Sequence, residues 1–500
     1  MRKTWLYVIL FFSMPAVALA QDEAAGRGFI ENVNAIFSDF VAGFFAVLFF
    51  SVGGFPLIVL WLVCGAAFFT LRMNFINIRA FRHAIDVVQG KYDDPNEPGE
   101  VSHFQALAAA LSATVGLGNI AGVAIAINVG GPGAVFWMTI GGFLGMTSKF
   151  VECTLGQKYR VVRPDGTISG GPMHYLSKGL AEVGKKTLGK FLAIIFSILA
   201  VCGAFGGPSM FQSNQSYGAV ASVLPFLPGW LYGLILTGLV ALVILGGIER
   251  IGMVAGTLVP AMCVIYMLAS LWIILSNFTQ LPEAIATIFT GIFSPGAVEG
   301  GVIGVVVQGL RRSAFSNEAG VGSAAIAHSA ARTDEPIREG IVALLEPFID
   351  TIVICNMTAL VIVITGVYRN PQFEGIGGAE LTSAAFGTVI GWFPSILALA
   401  VFLFAFSTII SWGYYGERCW AYLFSERSLI VYKVLFLLAI FVGSVATPAA
   451  VIDFSDAMLL SMAFPNLLGA YFLTNKVAAD LKDYMRRLNS GEMEMTQQTL

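Results

Sequence analysis

Eleven runs of mostly apolar residues, each about long enough to span a bilayer, constrain this 500-residue chain more than any other feature. They lie near 53–71, 105–128, 132–157, 191–216, 229–247, 253–276, 300–328, 340–367, 386–414, 429–446 and 455–474. About 20 such residues let one helix cross about 30 Å of hydrocarbon. Lipid offers the backbone no hydrogen bonds, so only helices or closed barrels can cross it. The chain reads as an all-α polytopic membrane protein. Its composition agrees: 57% of residues are hydrophobic and 12% charged, where soluble domains carry about 25% charge.

Residues 1–20 begin with Arg2 and Lys3, run apolar, and end in Ala18-Leu19-Ala20. This is the layout of a signal peptide cleaved before Gln21. An uncleaved first helix is the competing reading, and both place residue 21 outside the cytoplasm. Residues 28–50 read as an interfacial helix, so 21–101 holds that segment and one extra transmembrane helix. Alternating loops then put twenty Lys and Arg inside, from Arg72 to Arg487, against Arg27 and Arg369 outside. The asymmetry follows the positive-inside rule and predicts a cytoplasmic tail at 476–500 in a plasma membrane of bacterial inner-membrane type.

Several classes are disfavoured. No basic stripe or RNA-type aromatic motif points to nucleic acid. The six cysteines stand singly in apolar runs and read as buried thiols. His83, His103, His174 and His328 fall near expected cytoplasmic ends. No paired carboxylates, HExxH or Ser/His arrangement supports an enzyme, and neither a cofactor motif nor an obligate protein partner is evident.

Without the first span, ten remain: five over 102–278 and five over 300–475. Each half opens with its most irregular member, "TVGLGNIAG" in the first and "SNEAGVGSA" (Ser316 to Ala324) in the second. Five is odd, so the halves must have opposite orientations. Inverted repeats opened by Gly-interrupted helices point to a secondary transporter with a midplane site; close packing of small residues is the plainer reading. A break frees amides and carbonyls that lipid cannot satisfy. The N–H end of the second half-helix suits a carboxylate, and the carbonyl end of the first suits a monovalent cation.

"TVGLGNIAGVAIAINVGGPGAVFWM", "GGPMHYL", "FSNEAGVGSA", "FIDTIVICNMTAL" and "FAFSTIISWGYYGER" together resemble the alanine or glycine:cation symporter family over about 55–475. The resemblance implies a LeuT-type fold of five plus five inverted helices with one extra N-terminal helix, about eleven spans after the signal. It also implies sodium-driven import of small neutral amino acids. Thr114-Val115-Gly116-Leu117-Gly118-Asn119 matches the first break, implying amides near Leu117 and Gly118 for the substrate carboxylate. Carbonyls of Ser112 and Val115 would face one sodium. Thr114 and Asn119 would face a second, which the Thr at 114 puts in doubt. Phe404, Ser407 and Thr408 resemble the remaining sodium ligands, and their i, i+3, i+4 spacing shares one helix face.

Other polar residues within the spans are candidates too. Met210, Phe211 and Gln212, with Asn214 and Gln215, read as pocket lining or as interhelical bonds. Ser316, Asn317 and Gly320 stand at the second break as substrate contacts. Glu318 either pairs with Arg311 or Arg312 or acts in coupling; Asp350, an intramembrane carboxylate, is a proton or coupling candidate. Asn356 completes a second cation site or bonds across helices. Lys149 and Glu152 read as a local ion pair, and Glu417 with Arg418 as an inner lip. The sum is a sodium-coupled symporter for alanine or glycine, D-alanine included, working by alternating access. The alternatives are a proton-coupled or glutamine-preferring carrier and, further off, a channel or a membrane-embedded enzyme.

Overall fold

The computed structural model describes residues 42–94, 96–164, 166–294 and 301–493. The signal peptide reading, most of the interfacial segment and the last seven residues lie outside that range. Each predicted run carries a helix or a helix pair. In chain order these are α1 (Leu57–Arg72), α2 (His103–Thr114) and α3 (Gly118–Gly130), α4 (Ala134–Lys158), α5 (Lys186–Ala221), α6 (Gly229–Ile244) and α7 (Gly247–Ser276). After α8 (Leu281–Thr290) come α9 (Gly301–Asn317), α10 (Ala324–His328), α11 (Pro336–Thr365) and α12 (Gly378–Val389). The chain ends with α13 (Phe393–Phe424), α14 (Leu429–Val445), α15 (Pro448–Ser461) and α16 (Ala463–Ser490).

Among the described residues, seven helices are long and apolar enough to cross a membrane, and the bent α2–α3 pair makes an eighth. Helices α1 and α6 are apolar but shorter, and α9 carries two arginines. The predicted run 386–414 differs most from what forms. It joins the end of α12 to α13, whereas the chain turns at Ile390–Trp392 and Pro394 opens a new helix, the position where a missing N–H costs nothing. Two short antiparallel hairpins, Ser51–Val52 with Phe55–Pro56 and Val161–Val162 with Ile168–Ser169, are the strands among the described residues.

The polarity is that of a bundle in lipid. Leu234, Leu242, Leu268, Trp272 and Leu438 are exposed on α6, α7 and α14, while Ser112, Asn119, Lys149, Arg312, Glu318 and Asp350 are buried. Helices in lipid associate through close approach rather than hydrophobic exclusion. Gly142 of α4 illustrates this: a Cβ there would meet Thr351 of α11 at 2.8 Å. Helix α2 begins at a capping box, with Ser102 and Gln105 each bonding the other's backbone N–H, which satisfies two end amides before the helix enters the bundle.

Candidate functional site

Helix α2 ends where Val115 turns extended, with ψ 93, and α3 leaves at 53° to it. The amides freed there find carboxamide partners. Gly116 N–H donates to Asn119 Oδ1 at 2.9 Å, and Leu117 N–H donates to Gln212 Oε1 of α5 at 3.1 Å. Close approach explains the glycines. A Cβ on Gly116 would lie 2.5 Å from Thr408 Oγ1 of α13, and one on Gly118 would lie 3.1 Å from Ser316 Cα.

The second break separates α9 from α10. Glu318 adopts φ +55, and Gly320 and Gly322 follow at φ +90 and +92. A left-handed glutamate is sterically costly and needs support from its surroundings. Trp412 Nε1 of α13 donates to Glu318 Oε1 at 2.9 Å, and Ser323 Oγ donates to Oε2 at 2.5 Å.

Between the breaks lies a small cavity lined by Thr114 and Gly118, Gln212, Phe315 and Glu318, and Thr408, with Gly207 and Pro208 of α5 and Leu459 of α15. Its free space is about 10 Å³, about enough for one water. Beside it, α2 and α13 share a hydroxyl chain. Ser112 Oγ donates to Ser407 O at 3.1 Å, Ser411 Oγ to Ser112 Oγ at 2.8 Å, and Ser407 Oγ to Phe404 O at 3.0 Å. Thr408 Oγ1 is buried with no hydrogen-bond partner among the described residues. Thr408 Oγ1 thus meets α2 at Gly116 and Ser407 O meets it at Ser112, whereas Ser407 Oγ bonds back to Phe404 O and meets Met262 Sδ of α7 at 3.8 Å.

Asn119 also ties the two breaks together. Its Nδ2 donates to Asp350 Oδ1 at 2.6 Å, to Asp350 O at 2.9 Å and to Ser316 Oγ at 3.1 Å. Asp350 Oδ2 further accepts from Ser316 Oγ at 2.8 Å and Thr351 Oγ1 at 2.7 Å. Both carboxylate oxygens are therefore engaged, which a buried carboxylate requires.

Other expected residues are placed elsewhere. Arg311 and Arg312 pair with Asp456 of α15, so neither meets Glu318; the loop that carries Glu318 turns its carboxylate to the cavity instead. Lys149 meets Glu346 of α11 at 2.8 Å rather than Glu152, whose Oε1 accepts from Asn466 at 2.7 Å. Thr114, Asn119 and Asn356 do not gather: Thr114 bonds Ala110 O in its own helix at 3.2 Å, and Asn356 bonds Thr139 of α4 at 2.9 Å. Asn317 bonds Thr351 at 2.9 Å, and Gly320 O accepts from Asn466 at 2.8 Å, both away from the cavity. Phe211 packs edge-on against Phe315 at 5.0 Å. Met210 backs onto Gly443 of α14, where Asn214 also bonds the Gly443 carbonyl at 3.1 Å. Glu417 pairs with Lys433 at 3.3 Å, and Arg418 lies over the Tyr414 ring at 4.8 Å.

Outside the spans, His83 and His174 are pushed down to about 4 by burial. They sit against hydroxyls, Tyr484 Oη at 2.8 Å and Ser169 Oγ at 2.9 Å. Trp412 and Asp456 are the important residues that the sequence reading passes over. Asp456 had a signal, a carboxylate inside an apolar run; Gly206-Gly207-Pro208 had another, since it coincides with a π-helical stretch, Phe205–Phe211, inside α5.

A sequence profile described as the sodium:alanine symporter family matches residues 39–498. The sodium/alanine symporter AgcS of Methanococcus maripaludis is 40% identical over 430 residues, covering 86% of this chain and 94% of that protein. The probable sodium/glutamine symporter GlnT of Bacillus subtilis is 36% identical, covering 87% and 89%. The solved structure of MhsT in complex with L-phenylalanine matches at a TM-score of 0.51 and 15% identity, over 77% of this chain and 99% of that one. This shows a LeuT-type fold. The apolar helices, the interrupted pair and these matches make the chain a multi-pass membrane transporter and not an enzyme. It belongs to the sodium:alanine symporter family.

Proposed function

We propose that the protein imports a small neutral amino acid, alanine or glycine, with sodium by alternating access across a bacterial plasma membrane, its C-terminus in the cytoplasm. The two repeats, 102–278 and 300–475, supply one break each. One observation carries the sodium half of this reading: a buried threonine oxygen, Thr408 Oγ1, without a hydrogen-bond partner among the described residues and beside the carbonyl end of α2. A buried hydroxyl without a partner is costly, and a monovalent cation held with Ser112, Val115, Phe404 and Ser407 removes that cost.

The amino acid occupies the cavity between the breaks. Its carboxylate takes the amides of Leu117 and Gly118, helped by the positive end of α3. Gln212 Oε1 holds the Leu117 amide in the closed site, so it is displaced as the carboxylate arrives. The ammonium group meets Glu318 and the carbonyls of the second break. Sodium and substrate couple because each prefers the same arrangement of α2 and α13, and a ligand shifts an equilibrium only through differential affinity.

Purified protein in proteoliposomes tests this. Labelled alanine, glycine and glutamine are offered with and without an inward sodium gradient. Sodium-driven accumulation of alanine or glycine is expected. Glutamine alone would redirect the substrate, and no sodium-dependent uptake of any of the three would sink the reading.

A further inference from the structure

A second cavity lies away from the breaks, between the end of α1 and the C-terminal part of α16. Its free space is about 400 Å³, against about 10 Å³ at the site above. Arg72, Asn74 and Arg79 line one wall, and Lys482, Arg486 and Asn489 the other. Asn74 and Phe75 take φ +54 and +52, a left-handed pair that turns the chain between Arg72 and the short helix Ile76–Arg79. On α16 the three residues follow one another at intervals of four and three, so one helix face forms that wall.

The charges of this cavity are unbalanced. No carboxylate lines it among the described residues. Arg72 Nη2 donates to Asn475 Oδ1 at 2.9 Å, and Arg79 Nη1 donates to Asn74 O at 3.4 Å, both neutral acceptors. Lys482 has no ion-pair or hydrogen-bond partner among the described residues. Arg486 differs, since it meets Asp483 at 3.1 Å and Glu492 at 2.9 Å. Arg72, Arg79 and Lys482 are thus left without a countercharge, around a space large enough for a small ligand.

Its position says what kind of anion fits. Helix α1 is apolar almost throughout and ends on Arg72. Helix α16 packs against it through Tyr471, whose ring stacks on Phe69 at 5.3 Å, and turns charged from Lys476 onward. Phe68 stands one turn before Arg72, and Tyr471 one turn before Asn475, so each shares the face of the polar residue that follows it. The Phe68 and Tyr471 rings meet edge to face at 5.1 Å. Leu71 is 68% exposed and Ile78 60%. Aromatic rings below basic groups, with exposed apolar side chains beside them, mark the boundary between hydrocarbon and water.

We propose that this cavity binds the headgroup of one anionic phospholipid, of the phosphatidylglycerol type, from the leaflet it faces. Arg72, Arg79 and Lys482 hold the phosphate oxygens, the arginines through paired N–H groups. Asn74 and Asn489 offer carboxamides to the headgroup hydroxyls, and the acyl chains run along Phe68 and Leu71. Basic pockets between membrane helices recognise anionic headgroups in this way. A free phosphate would satisfy the cations but leave Phe68 and Leu71 bare, and a choline headgroup would bring a cation among cations. The lipid bridges α1, which precedes the two repeats, to α16, and so stabilises the folded bundle. The orientation proposed above makes the leaflet the inner one; binding itself depends neither on that orientation nor on symport.

Native mass spectrometry of the delipidated full-length protein in detergent tests the site. The probes are phosphatidylglycerol, phosphatidylcholine with the same chains, and inorganic phosphate. One phosphatidylglycerol is expected to bind about tenfold more tightly than phosphatidylcholine, and excess phosphate does not displace it. R79Q and K482Q each weaken binding about fivefold, and together about thirtyfold. K178Q with R427Q removes two exposed cations that do not line the cavity and leaves binding within about twofold. Phosphatidylglycerol also raises the Tm of the native protein, and that of R79Q with K482Q much less. Equal binding of the two lipids would overturn the proposal. Displacement by phosphate would make the site one for a free anion, and equal losses in both double variants would reduce it to diffuse surface charge; either result overturns it too. No readout involves transport, so failure of this site leaves the symport standing, and failure of the symport leaves the site.

Discussion

The two helix breaks occupy corresponding places in the two halves but are chemically unlike. The first is neutral: its amides are held by the carboxamides of Asn119 and Gln212. The second contains a carboxyl group, that of Glu318, held in a left-handed conformation by Trp412 and Ser323. A break of amides with a helix N-terminus behind it suits an anion; a break with a carboxylate suits a cation. An amino acid zwitterion carries one of each. On the proposed function, the two breaks divide the work of holding it.

Four substitutions would break or sharpen that contrast. The largest effect is expected at the first break. G116A puts a methyl 2.5 Å from Thr408 Oγ1, and displacement of about 1 Å at such a site lowers sodium-driven alanine uptake about a hundredfold. Uptake within tenfold of native would mean the break does not need this close approach. E318Q tests the second break. Losing a charged hydrogen bond of about 2 kcal/mol weakens alanine binding about thirtyfold, read by competition in detergent, while sodium binding changes little. Equal losses of both affinities would show that the breaks do not divide the zwitterion. T408V is expected to lower sodium affinity by about tenfold, or about 1.4 kcal/mol, with thermal stability retained because that hydroxyl bonds nothing among the described residues. The smallest effect is at Asn356, which bonds Thr139. N356A costs about 0.6 kcal/mol of stability and leaves sodium affinity unchanged; a clear fall in sodium affinity would restore Asn356 as a cation ligand.

Much of the architecture was legible because membrane helices write themselves as uninterrupted apolar runs, and because breaks in lipid need glycine. The partners of the charged residues were not. Lys149 and Glu152 lie three apart on one helix, yet Lys149 chooses Glu346, nearly 200 positions away, because packing α4 against α11 buries both. Arg311 and Arg312 likewise find Asp456 rather than their neighbour Glu318, since the left-handed turn at 318 points its carboxylate away from them. Asn119 showed as polar, but its role as a tie to Asp350 depends on the crossing of three segments, which no local pattern encodes.

The bond between Leu117 N–H and Gln212 Oε1 has a further consequence for affinity. A site closed around one water's volume by its own side chain binds ligand only from the fraction of molecules that has opened. Apparent dissociation constants are then the intrinsic value divided by that fraction. Whatever favours opening, including the sodium proposed between α2 and α13, tightens amino-acid binding without touching the amino acid. On the proposed function, Gln212 is an internal competitor, and its strength sets how much sodium is required before substrate is held.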